Sequence, residues 1–168
     1  MTGIAVQIEV GGDLRRALSR AAEASADLTG PMQEIAVHLA ATTVERFDQE
    51  RDPTGMPWKP SRRTLEEPGA KTLNLSGFLR QSIEPDWGRD YAAAGVEASG
   101  GPAVYAAVHQ FGATITPRTA KALSFAGRVV ARAVIPARPF LGFSDENRAF
   151  ALDVITDHLA EVFGGTPS

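Results

Sequence analysis

The sequence predicts an α+β protein: a mainly antiparallel sheet packed by long amphipathic helices and carrying an extended proline-rich arm. Three observations lead there. Apolar residues recur at helical spacing in three long stretches, runs of period two gather in the second half without regular βαβ alternation, and residues 51–72 show no period at all. At 168 residues the chain suits one domain around one core, so residues 1–168 are read as a single unit.

Ile4, Val6, Ile8 and Val10 alternate with Ala5, Gln7 and Glu9, as in a strand with one face buried. Gly11-Gly12 breaks it, and Asp13 caps a helix whose stripe is Leu14, Ala17, Leu18, Ala21, Ser25 and Leu28, ending near Thr29-Gly30. Pro31 opens a second helix, where a missing N–H costs nothing, and Met32, Ile35, Ala36, Leu39, Thr43 and Phe47 form its apolar stripe to about Glu50. From Arg51 to Thr72, Pro53, Pro57, Pro60 and Pro68 argue against a helix or long strand. Structureless segments beyond about 12–15 residues tend to be functional arms, so Trp58 is expected exposed on an arm.

Leu73, Leu75, Phe78, Leu79 and Ile83 mark a short helix, capped by Asn74 or Ser76 and stopped before Pro85. Strand fragments follow around Tyr91 and Val96. After Gly100-Gly101-Pro102, Val104, Tyr105, Val108 and Phe111 form one face of a short helix closed by Gly112. Ile115 opens a strand. Leu123 and Phe125 form another, turned through Ala126-Gly127 into a strand from Arg128 to Ile135 with Arg128, Val130, Arg132 and Val134 on one face. Ser144 caps a last helix to Phe163, with Ala151, Val154, Ile155, Leu159 and Val162 inward.

With 43% hydrophobic and 22% charged residues the composition is that of a folded globular chain. Cysteine is absent, which excludes disulfides, thiolate nucleophiles and thiolate metal sites and suits a reducing cytoplasm. No stretch approaches the ~20 apolar residues of a membrane span, and Met1 to Val10 lacks the pattern of an export signal, so neither insertion nor export is expected. Charge is uneven: residues 1–50 carry 4 basic and 8 acidic side chains, 91–140 carry 5 basic and only Glu97, and 141–168 carry Arg148 against 5 acids. Acidic ends and a basic middle can draw copies of a chain together.

No catalytic constellation emerges, and no enzyme, cofactor or metal is expected. His38 shares the polar side of its helix with Glu34, Thr42 and Glu45 and reads as solvated, His158 borders an apolar stripe, and only His109 has an unusual context. Glu45, Asp48, Glu50 and Asp52 are explained by a helix end running into Asp52-Pro53-Thr54-Gly55, a natural type I turn. No phosphate-binding glycine pattern occurs. Arg118, Lys121, Arg128, Arg132 and Arg138, with Lys59, Arg62 and Arg63, could face phosphates, but the chain's pI of about 5.6 argues against a free-standing nucleic-acid binder. Non-specific contact with DNA passing through a ring stays open.

Four segments then occur together: Asp52-Pro53-Thr54-Gly55-Met56-Pro57-Trp58-Lys59-Pro60, Leu73-Asn74-Leu75-Ser76-Gly77-Phe78-Leu79-Arg80-Gln81-Ser82-Ile83, Tyr105-Ala106-Ala107-Val108-His109-Gln110-Phe111-Gly112 and Ile135-Pro136-Ala137-Arg138-Pro139-Phe140-Leu141-Gly142. Their order and spacing over about residues 32–160 resemble phage virion morphogenesis proteins of the Mu type, related to P2-type tail-completion proteins. Ser76 departs from the threonine usual before the second segment's glycine and keeps the hydroxyl.

The resemblance implies a structural role in the neck of a tailed phage or phage-derived particle, tail completion or head–tail joining, in a protein assembled in the bacterial host cytoplasm. It implies a homo-oligomeric ring, expected to be hexameric, that meets other neck and tail proteins. A tail terminator-like ring and a DNA-binding accessory protein of virion assembly are the alternatives. Expected interaction residues are Trp58, Arg62, Arg63, Tyr105, His109, Phe111, Arg128, Arg132, Arg138 and Phe140, unless Tyr105, Phe111 and Phe140 are core residues. Residues 51–72 are expected to reach a neighbour, and deletion of Pro53 to Pro68 to leave a folded protein.

Overall fold

The computed structural model describes residues 27–97, 101–117, 122–125 and 128–164, together with Arg16, Ser19 and Glu23. The expected strand at residues 4–10, most of the helix expected after it, and Arg118 and Lys121 lie outside the described residues.

Helix α1, Thr29–Gln49, is the spine. Its stripe buries Pro31, Ile35, Ala36, Ala40, Thr43 and Phe47 as the helical period requires, and Arg46 goes in with them. Glu50 ends it in the left-handed region at φ 54°, its N–H returning to the Arg46 carbonyl. The chain then closes the Asp52 to Gly55 turn, with Gly55 N–H donating to Asp52 O at 2.9 Å, and Arg51 bridges to Pro57.

Trp58 corrects the expectation of an exposed arm residue. It is 5% exposed, its ring meets Phe47 edge-on at 5.5 Å, and its Nε1–H donates to Pro139 O at 2.8 Å. The partners that bury it lie 11 residues upstream and 81 downstream, beyond what local patterning can register. The segment also holds a one-turn helix, α2, Arg62–Glu66, capped by the Ser61 hydroxyl.

The helix expected around Leu79 is shorter: α3, Phe78–Gln81, ends so that Ile83 can begin strand β1, Ile83–Trp87. Pro85 lies inside that strand. This is tolerated because, among the described residues, β1 pairs only with β2, Ala92–Val96, leaving an edge where none of them needs the missing N–H. Helix α4, Gly101–Phe111, follows and is closed by Gly112 at φ 73°. Strand β3, Ala113–Ile115, pairs with β6, Ala133–Ile135, and β4, Leu123–Phe125, pairs with β5, Arg128–Val130, across the expected hairpin.

The α+β class stands, and among the described residues the strands form three two-stranded antiparallel ribbons. The strand expected from Arg128 to Ile135 breaks at Ala131-Arg132, so Arg128 and Arg132 do not belong to one strand, and Val129 is 79% exposed. Helix α5, Asp145–Gly164, packs back on α1, with Ser144 Oγ accepting from Asn147 N–H at 3.2 Å. His38, expected solvated, instead stacks on Phe150 at 3.8 Å between these helices. The core gathers Ala40, Phe47, Trp58, Leu79, Ile83, Ala106 and Phe140.

Candidate interaction groove

The extended segment Ile135 to Gly142 is held between α1 and α4 by side chains that replace a strand partner. Gln110 on α4 accepts through Oε1 from the N–H groups of Phe140 (3.1 Å) and Leu141 (3.0 Å), and donates through Nε2 to Leu141 O at 2.9 Å. From α1, Arg46 Nη1 donates to the carbonyls of Phe140 (2.9 Å) and Gly142 (3.0 Å), while Nη2 donates to Asn147 Oδ1 at 2.8 Å. Pairing the backbone groups of Phe140 and Leu141 with side chains in this way avoids the penalty of unpaired polar groups where the segment is buried. Burial pushes the Arg46 pKa down, countered by Glu146 and Asp52. Sequence reasoning missed Arg46 and Gln110 as anchors; each is a polar residue within an apolar helix pattern, and that was the available signal.

Arg138 and Phe140, expected at an interface, turn inward. Phe140 is fully buried against Phe47, ring centroids 5.3 Å apart. Arg138 donates from Nε to Lys59 O at 2.7 Å, and its own N–H donates to His109 O at 2.6 Å. The Asp52 turn and the Pro136 to Gly142 segment are thereby fastened to each other through Trp58 and Arg138.

Where the second, third and fourth of the four segments meet, with Ser61 and Arg63 beside them, a groove of about 840 Å³ opens. Leu73, Leu75 and Phe78 form one wall, Tyr105 and His109 the other, and Arg63 and Arg138 contribute its charge. Leu73 holds φ 61°, a left-handed conformation that is strained for leucine, and functional clefts are where such strain collects. Its apolar rim is bare: Leu75 is 80%, Tyr105 60% and Phe78 56% exposed. Arg63 Nη2 donates to Lys71 O and Asn74 O, fixing it beside the rim. His109 is pushed below its usual pKa by burial and then by the Arg138 charge, so its imidazole is neutral near pH 7, and its Nδ1 has no hydrogen-bond partner among the described residues.

The remaining expected site residues scatter. Phe111, at the end of α4, is 80% exposed and Tyr105 on the same helix 60%, so these two are not core residues, whereas Ala106 is buried. Arg62 pairs with Glu66 at 2.6 Å on the surface, Arg132 is exposed at the strand break, and Arg128 stands opposite Phe125 in the β4–β5 ribbon. Of the four carboxylates near the end of α1, Asp48 accepts from Arg80 at 2.8 Å, Glu50 accepts from Thr72 N–H, and Asp52 Oδ1 accepts from Thr54 and Met56. Among the described residues no three His, Asp or Glu side chains come together as a metal site.

A family model described as phage virion morphogenesis family matches residues 11–160. The chain is also 30% identical over 166 residues to the protein of Escherichia phage Mu named "Putative capsid assembly protein G", the match covering 90% of this chain and 94% of that one. No solved structure matches.

Proposed function

Since the chain belongs to the phage virion morphogenesis family, a family of virion structure and assembly and not of enzymes, we propose that it is a subunit of a closed six-membered ring in the neck of the particle. There it completes the tail or joins it to the head. One observation carries this reading: three of the four segments that resemble the family converge on a groove whose apolar rim is uncovered in the single chain. Exposed apolar surface bordered by polar groups is characteristic of surfaces that meet other proteins. The capsid-assembly name of the Mu relative supports a part in building the particle. Among the described residues no helix is long and apolar enough to cross a membrane. A DNA-facing surface loses support from Arg138, whose guanidinium is turned into the chain.

The test is electron microscopy of assembled particles carrying a labelled copy of this protein, with mass measurement of the purified chain. A ring of label at the head–tail junction is the expected result. Label absent from finished particles, or present as a single copy, overturns the reading.

A further inference from the structure

The groove is apolar at its rim and cationic within. Its lining includes Arg63, Arg138 and His109 and, among the described residues, no carboxylate. Arg138 rests on the carbonyls of Lys59 and Pro60, and Arg63 on those of Lys71 and Asn74 with Glu67 only at 3.8 Å, so neither cation is closely neutralised. A carboxylate brought to Arg63 is therefore favoured, and an apolar group beside it would cover Leu75, Phe78 and Tyr105.

The complementary surface lies on the outer side of α5. Leu152, Asp153, Thr156, Asp157, Ala160 and Glu161 are all exposed and recur at spacings of three and four, one face of a helix. Leu152 is 61% exposed. Among the described residues Asp153, Asp157 and Glu161 have no ion pair. The helix's other side is committed to α1 through Phe150. Three acidic residues follow one bare leucine along this face, Arg148 standing one turn before it, and they match a cationic groove with a bare apolar rim; a helix face laid into such a groove is a common mode of recognition.

We propose that the groove of one copy receives the outer face of α5 of a second copy, Leu152 entering between Leu75 and Tyr105 while Asp153 and Asp157 face Arg63. The two surfaces differ and sit on the same chain, so the contact is head-to-tail and repeats until it closes. This rests on the ring reading above and names the contact that would build it.

Charge reversal tests it. Arg63→Glu and Asp157→Arg alone should each weaken self-association about a hundredfold, since like charges face each other across every contact. An equimolar mixture of the two variants should restore it, because alternating copies pair native groove with native helix and reversed groove with reversed helix. A second measurement uses the absence of cysteine from the chain. A protein carrying both Leu75→Cys and Leu152→Cys, at two exposed positions, should give a ladder of disulfide-linked multimers on oxidation, in solution or within particles; each single variant should not. Rings that persist with Arg63→Glu and give no ladder overturn this contact and leave the ring reading intact. Absence of any self-contact, both in solution and in finished particles, overturns the contact and the ring together.

Discussion

Arg46 and Asn147, 101 residues apart, meet inside the protein at 2.8 Å, Arg46 Nη2 donating to Asn147 Oδ1 while Asn147 Nδ2 donates to Thr42 Oγ1 at 2.9 Å. Both side chains are buried. The pair joins α1, the cap of α5 and the Phe140 to Gly142 carbonyls in one network. Arg46→Leu removes three donated bonds and leaves acceptors stranded, an expected cost of about 2–4 kcal/mol. Arg46→Lys should recover little of it, a point charge being unable to reproduce the planar fork. Urea denaturation of the purified variants measures both.

Gln110→Leu keeps the bulk of the side chain and deletes its three contacts to Phe140 and Leu141. Two buried N–H groups then lose their acceptor. An expected loss of about 2–3 kcal/mol should accompany faster amide exchange at those two positions, read by hydrogen-exchange mass spectrometry.

Gly112 adopts φ 73°, and a Cβ there would stand 2.9 Å from Ala137 N and 3.0 Å from Ile135 O. Backbone atoms cannot withdraw cheaply. Gly112→Ala is expected to cost about 1–3 kcal/mol, seen as a lowered thermal midpoint, whereas Gly30→Ala, with nothing nearby, should not destabilise.

The histidine in the groove gives the protein a pH dependence of fixed sign. Burial and Arg138 hold the folded pKa of His109 below the ordinary 6.5, so in the window below that value the unfolded chain binds more protons than the folded one. Its contribution to stability is complete above about pH 6.5 and falls away as the pH drops toward the depressed folded value. His109→Gln should flatten that part of the stability profile, measured as the urea midpoint between pH 7.5 and 5.5.

Removal of Pro53 to Pro68 was the change expected from sequence to spare the fold; with Trp58 in the core it should destroy it. Trp58→Ala alone is expected to cost about 3–5 kcal/mol. Circular dichroism of the deletion variant showing a cooperative native transition would contradict this.

What the sequence revealed and what it concealed divide by range. Helix α1, the Asp52 to Gly55 turn, the β4–β5 hairpin and the Ser144 cap were legible because their determinants lie within a few residues of each other. The family segments were legible too, but their geometry was not. Tyr105 and Phe111 stay outside and Phe140 goes in, although all three are aromatic residues of similar short motifs. What sorts them is Gln110 and Arg46 gripping one extended stretch from opposite sides, and no local period encodes a grip between residues 30 and 94 positions apart. His38 was misread for the same reason: its stacking partner, Phe150, belongs to the last helix.

The clasp around Phe140 has a consequence during synthesis. Chains emerge amino end first, and α1 leaves the ribosome with Phe47 lacking Phe140, and Arg46 lacking its carbonyl and Asn147 acceptors, until residues 140–147 have been added. A polypeptide cut short before Arg138 lacks both the Phe140 cover over that nonpolar spine and the guanidinium that lines the groove. Such a fragment leaves Phe47 uncovered and Arg46 without its acceptors, and its expected fate is proteolysis.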